Sequence, residues 1–128
     1  DLTPTLGELS ETDGVGLINA SITHMGVLTP QGQQDWHPAP QEVFDAGDRI
    51  RKICDARGMN PAEVALRFAL DYPGPDSTLI GVSDEAQLQS CLSVLEIQIP
   101  EEMFKEIDAA IGPALNMRWH DGLPENYE

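Results

Sequence analysis

Val15-Gly16-Leu17-Ile18-Asn19-Ala20-Ser21 and Ser77-Thr78-Leu79-Ile80-Gly81-Val82-Ser83 are the two stretches on which the fold turns. Each is a short apolar run with no polar alternation until its end, the pattern of a strand covered on both faces. About 55 residues of loop and helix-forming sequence separate them, and strands so connected pair as a crossover, parallel and right-handed. The class is therefore α/β. A lone pair of strands is rarely stable in water, because both outer edges keep unpaired backbone groups. Something is expected to continue this sheet.

Outward from the first strand, Ile22 to Pro40 shows no sustained period and is broken at Gly26, Pro30, Gly32, Pro38 and Pro40. A loop of that length in a compact domain is usually functional. Val43, Gly47, Ile50 and Cys54, flanked by Phe44, Ala46 and Ile53, then form one stripe of a helix that ends at Arg57-Gly58. Asn60-Pro61 opens a second helix, with Glu63 positioned to close a capping-box-like turn. Its body, Val64 to Leu70, is apolar on nearly every side and predicts the most buried helix. Tyr72-Pro73-Gly74-Pro75-Asp76 stops it.

After the second strand, Ser83 is expected to cap a helix carrying Asp84 and Glu85 in its first turn and Leu88, Cys91, Leu92 and Leu95 on its inner face. A last helix opens at Pro100-Glu101-Glu102, buries Met103, Phe104, Ile107 and Ile111, and stops at Gly112-Pro113. At the other end, Leu2, Leu6 and Leu9 behind Thr3-Pro4 predict a short helix over residues 2–11. Residues 114–128 form an irregular tail whose one anchor is Trp119.

Of 128 residues, 41% are apolar, enough for a core in a single domain. Seven basic residues against 22 acidic ones give a formal charge of −15, so nucleic acid and anionic membrane surfaces are repelled. The carboxylates themselves read as a solvated surface. No run approaches the roughly 18 apolar residues of a membrane span, and no charged-then-apolar leader is present.

Cys54 and Cys91 lie in helical patterns with no His or Cys at ligand spacing, as in a reduced cytoplasmic protein. No histidine is placed to activate either as a nucleophile. His24, His37 and His120 have no carboxylate or cysteine at metal-ligand spacing, so no metal site is expected. Trp36 either faces a substrate or pins the long loop to the body of the protein, the second reading being preferred.

Several of these segments, in this order, carry a resemblance. Val15 to Ser21, Met25-Gly26-Val27-Leu28-Thr29, Trp36-His37-Pro38-Ala39, Ala65-Leu66-Arg67-Phe68 and Thr78 to Ser83 resemble the C-terminal part of aldo-keto reductases. Trp36-His37-Pro38-Ala39 and Asn116-Met117-Arg118-Trp119 are closest to the L-galactose dehydrogenase-like branch, which oxidises aldoses at C1. The resemblance implies a (β/α)8 TIM barrel of which residues 1–128 hold the last two parallel strands with their helices, a single partial domain.

The same resemblance implies a catalytic Asp, Tyr, Lys and His on earlier strands, so no catalytic residue is assigned here. Tyr72, Tyr127, Lys52 and Lys105 are the only residues of their kinds, and none falls at a strand end. What remains is the dinucleotide edge. It implies cofactor contacts from Ala20 and Ser21 at one strand end, and from Gly81, Val82, Ser83, Gln87 and Cys91 at the other.

Ile22, Thr23 and His24 stand where the family commonly has Pro-Leu and a small residue. Gly81 and Gln87 stand where NADP-preferring members carry Lys and Arg, and Asp84 and Glu85 add negative charge. A 2′-phosphate facing two carboxylates and no cation is unfavourable, so NAD is expected over NADP. Cys91 replaces an Asn that meets the adenine edge, and a thiol is a poor hydrogen-bonding substitute. Ser83 serves first as a helix cap, with a phosphate contact as its second reading.

The implied partners are a small aldose or carbonyl substrate in the complete enzyme, and either self-association or pairing with the rest of the barrel. The competing reading is a non-catalytic assembly or nucleotide-binding module of the same fold.

Overall fold

A computed structural model of the chain describes residues 13–119. The helix expected over residues 2–11, together with His120 and Tyr127, lies outside the described residues. Strand β1 is Ile18–Asn19 and strand β2 is Ser77–Thr78. They pair in parallel, Ile18 opposite Ser77 and Asn19 opposite Thr78. Between them lie helices α1, Gln41–Asp55, and α2, Pro61–Asp71; after them come α3, Glu85–Ser93, and α4, Glu101–Ile111. Short 3-10 turns follow α3 at Val94–Glu96 and α4 at Gly112–Ala114.

The strands are shorter than their apolar runs. Leu79 still donates its N–H to the Asn19 carbonyl at 2.7 Å, but Ile80 to Ser83 continue as backbone without a ladder. A third strand is what would extend the pairing. The expectation that the strands are covered on both faces is also corrected, since Ile18 is 72% and Leu79 63% exposed. Asp76 extends the junction between the two strands, accepting the Leu17 N–H on its side chain at 2.8 Å and donating its own N–H to the Leu17 carbonyl at 2.9 Å.

The helices begin and end largely where their sequence signals stand. Asn60 Oδ1 accepts the Ala62 N–H at 3.0 Å, and Pro61 fills the first helical position that needs no donor. Gly58, at φ +64°, takes the left-handed conformation that ends α1, with the Met59 N–H returning to the Cys54 carbonyl at 3.0 Å. Glu63 departs from expectation: its carboxylate accepts the Ser90 hydroxyl of α3 instead of closing the first turn of α2.

Two apolar clusters hold the helices together. Ile50, Cys54, Val64, Met103 and Ala110 form the larger, where α1, α2 and α4 meet. Val27, Ala39, Val43 and Phe44 form the smaller, beneath the loop and the tail, with Trp119 packed against them as the expected anchor. The core is therefore centred on α1 and α4. Contrary to the sequence expectation, α2 exposes Phe68 and Leu70, and α4 buries Met103 and Ala110 while Phe104, Ile107 and Ile111 are only partly covered.

The larger correction concerns α3. It buries no residue: Leu88 and Leu92, and Leu95 beyond it, are exposed, and Cys91 is half-buried. No other described element lies over that stripe to cover it.

Candidate functional site

Parallel pairing puts the C-terminal ends of β1 and β2 side by side, so Ala20–Ser21 and Ile80–Ser83 leave the sheet at the same end. This is where chemistry sits in barrels and open α/β sheets. The structure thus brings the two predicted groups of cofactor residues to one edge. Ala20, Ser21, Gly81, Val82, Ser83 and Gln87 are exposed there, while Cys91 sits farther along α3, half-buried.

Ala20 and Ser21 also form the rim of a cavity of about 440 Å³. Its walls are mainly apolar, from Val64, Phe68 and Ala69 of α2 and from Phe104 and Ile107 of α4. His24, Tyr72 and Asp108 bring polar atoms to it. Gly81, Val82, Ser83 and Gln87 do not reach it, so the two halves of the predicted set face different spaces.

The start of α3 is built differently from expectation. Asp84, not Ser83, is the cap: its Oδ1 accepts the Gln87 N–H at 2.8 Å. The Gln87 side chain folds back so that its Oε1 accepts the Ser83 N–H at 3.0 Å. The Ser83 hydroxyl caps no helix amide and donates to Asp84 Oδ2 at 3.3 Å. A carboxylate is a stronger acceptor than a hydroxyl and is favoured by the positive end of the helix dipole, so Asp84 wins the position. The amides of Glu85 and Ala86, the usual donors of a first turn, remain for a ligand oxygen.

These groups suit the oxygens of a ligand at the strand ends. They offer backbone N–H donors, a carboxylate that accepts from hydroxyls, and no cation.

Across the edge, the loop after β1 is a chain of turns. The His24 N–H reaches the Ser21 carbonyl at 2.8 Å, and the Leu28 N–H the Thr23 carbonyl at 3.0 Å. Ser21, His24 and Met25 all have positive φ, at 61°, 54° and 53°. Such conformations in non-glycine residues concentrate at functional sites. Burial, and next the neighbouring His37, hold the His24 imidazole below the ordinary histidine range.

The loop is fastened to α1 by residues that sequence reasoning did not single out for that role. Arg51 donates from Nη1 to the Val27 carbonyl at 2.5 Å and pairs with Asp48. Gly32 and Gly47 make room for this fit. A Cβ on Gly32 would meet the Arg51 guanidinium at 2.6 Å, and one on Gly47 would meet Val27 at 2.4 Å. Trp36, expected to pin the loop, is 65% exposed, and it is the neighbouring His37 that goes inside. The signal available in the sequence was an arginine on the inner stripe of α1, one position after Ile50.

Lys52 is exposed on α1, Lys105 pairs with Glu101 on the surface of α4, and Tyr72 caps the end of α2. No lysine lies at either strand tip. Among the described residues no three His, Cys, Asp or Glu side chains gather as a metal site, and no helix is long and apolar enough to cross a membrane.

Residues 3–111 match the model of the aldo/keto reductase family. The chain is 32% identical to L-galactose dehydrogenase of Arabidopsis thaliana, over 98% of this chain and 40% of that protein. It is 26% identical to D-arabinose 1-dehydrogenase of Saccharomyces cerevisiae, over 83% of this chain and 35% of that protein. In fold it is similar to the glycerol dehydrogenase of Gluconobacter oxydans, with a TM-score of 0.67, 16% identity, and coverage of 95% of this chain and 42% of that one. The chain thus spans 40% or less of the length of these curated relatives. Its fold corresponds to part of a barrel.

Proposed function

The chain belongs to the aldo/keto reductase family, and from that membership we propose that it is the C-terminal, cofactor-side part of an NAD-dependent oxidoreductase. The complete enzyme oxidises an aldose at C1 or, in reverse, reduces a carbonyl. Nicotinamide supplies the hydride acceptor when bound. The residues of this chain hold and orient the dinucleotide, while the Asp, Tyr, Lys and His that move the proton come from the remainder of the barrel. The setting is reducing and cytoplasmic, in keeping with two free cysteines.

The observation that carries this reading is the shared strand end: the chain leaves β1 at Ala20–Ser21 and β2 at Leu79–Ser83 on the same end of the parallel pair, and Asp84 caps the helix that follows. The first helical amides suit a ribose hydroxyl or a bridging phosphate oxygen, whereas a 2′-phosphate there would face Asp84 and Glu85. The sugar dehydrogenases to which the chain is similar support the aldose as substrate class.

The test is a dehydrogenase assay of the complete enzyme with NAD or NADP and a panel of aldoses. NAD-linked oxidation of at least one aldose is expected, with NADP the poorer cofactor. Absence of turnover with every sugar removes the activity, and a preference for NADP removes the cofactor assignment. Asp84→Ser keeps a cap while deleting the charge. It should shift the NAD to NADP ratio toward NADP by about five- to tenfold, the scale of one nearby charge.

A partner reading accompanies this one. Exposed Ile18, Leu79, Leu88, Leu92 and Leu95, together with open strand edges, favour docking of further parallel strands and helices of the same barrel. Light scattering of the isolated chain should then report self-association. A monodisperse monomer with a cooperative melt argues against it.

A further inference from the structure

His37 is the one buried polar side chain among the described residues, at 7% exposure, and nothing in the cofactor reading uses it. Its two ring nitrogens are both engaged. The Ala39 N–H donates to Nδ1 at 3.1 Å, so Nδ1 carries no proton. The proton therefore sits on Nε2, which lies 3.2 Å from the His24 carbonyl and donates to it. Phe44 packs edge-on to the ring at 5.2 Å between centroids, Trp36 stacks on it at 5.7 Å, and Trp119 lies 6.0 Å away. The imidazole has no freedom to turn.

What it holds is the turn that follows Ser21. The His24 carbonyl also receives the Val27 N–H at 3.2 Å, and the His24 N–H closes onto the Ser21 carbonyl. One ring nitrogen thus grips a turn whose Ser21, His24 and Met25 are all in the left-handed region. Non-glycine residues persist there only when their surroundings over-determine them. Arg51 on the Val27 carbonyl is the second tie. Between the two, the segment from Ser21 to Val27 is clamped before any ligand arrives.

We propose that His37 is a positioning residue for dinucleotide binding: as a neutral imidazole protonated on Nε2, it presets the Ser21–Val27 turn through the His24 carbonyl. The inference rests on the cofactor reading above. Ligating groups are commonly oriented by such outer partners, which touch no ligand themselves.

The test uses the complete enzyme with three substitutions. His37→Gln keeps a donor near the position of Nε2, His37→Asn keeps an acceptor near Nδ1, and His37→Phe keeps only the packing. His37→Phe and His37→Asn should weaken dinucleotide binding by about five- to tenfold, the worth of one hydrogen bond. At saturating dinucleotide, kcat and the sugar KM should stay within about twofold, and His37→Gln should recover most of the loss. Hydrogen exchange at the amides of His24, Val27 and Leu28 should quicken in His37→Phe and His37→Asn and not in His37→Gln.

His37→Phe binding dinucleotide as the unaltered enzyme does would overturn the proposal. So would a fall in kcat and every affinity together, or a His37→Gln no better than His37→Phe. If His37→Phe does not fold, the contrast between His37→Asn and His37→Gln decides in the same way. An unaltered enzyme that binds no dinucleotide removes the cofactor reading and this inference with it, whereas normal binding with an indifferent His37 removes this inference alone.

Discussion

The Ser90 hydroxyl donates to Glu63 Oε1 at 2.5 Å, tying α3 to α2 across 27 residues of sequence. α3 buries none of its own side chains, so this bond and the buried Val94 just beyond the helix are its main attachments. Ser90→Ala should therefore loosen α3 more than the rest of the molecule. We expect amides of residues 88–93 to exchange faster while those of α1 hold, with a global loss of about 1 kcal/mol or less. Uniform loss of protection across α1 and α3 would contradict this local role.

Gly47→Ala separates two opposing effects in α1. Alanine in a helix interior gains about 1 kcal/mol over glycine, yet here the new Cβ would stand 2.4 Å from Val27 Cγ1. Overpacking of this kind costs about 1–3 kcal/mol, so a net loss is expected from denaturant midpoints. In a Val27→Ala background the clash disappears, and Gly47→Ala should become neutral or stabilising. A loss of the same size in both backgrounds would show that the two residues do not meet.

Acidification should destabilise the fold through His24. Burial, then His37, lower the affinity of its imidazole for a proton in the folded state, while the unfolded chain keeps the ordinary value near 6.5. The unfolded state therefore takes up the proton first. Stability is fully present above the ordinary histidine range and is lost as pH falls from there through the lowered folded value. Melting curves between pH 8 and pH 5 should fall less steeply for His24→Asn than for the unaltered chain, and identical slopes would remove His24 from the account.

Thiol chemistry should tell the cysteines apart. Cys54 is fully buried, and burial, then the charge of Asp55, push its thiol up from the ordinary range. Cys91 is half-buried on α3. Iodoacetamide at pH 7.5 should modify Cys91 in the folded protein and reach Cys54 only on unfolding. Equal labelling rates would show that the larger core cluster opens readily.

Much of the fold was legible because its signals are local. Asn60-Pro61, Arg57-Gly58 and Gly112-Pro113 mark helix ends through backbone chemistry that neighbours decide. The apolar runs ending at Ser21 and Ser83 marked the strands, though only Ile18–Asn19 and Ser77–Thr78 of them pair. For the candidate site, the two strand ends were readable and their adjacency followed from parallel pairing. The Asp84 cap was off by one position, because Ser83 and Asp84 are both good caps, and in the fold it is Asp84 that accepts a helix amide while the Ser83 hydroxyl turns to Asp84.

The sequence by itself therefore determined the α/β class, most helix boundaries, the tail anchor Trp119 and the positions of the two strand ends. Only the tertiary structure decided that His37 and not Trp36 enters the interior, that Arg51 and Gly47 receive the loop at Val27, and that the apolar stripe of α3 faces outward. The physical reason is range. Periodicity and capping act within a few residues, whereas a buried imidazole, a guanidinium on a distant carbonyl, or an uncovered leucine depends on what the folded chain brings beside it.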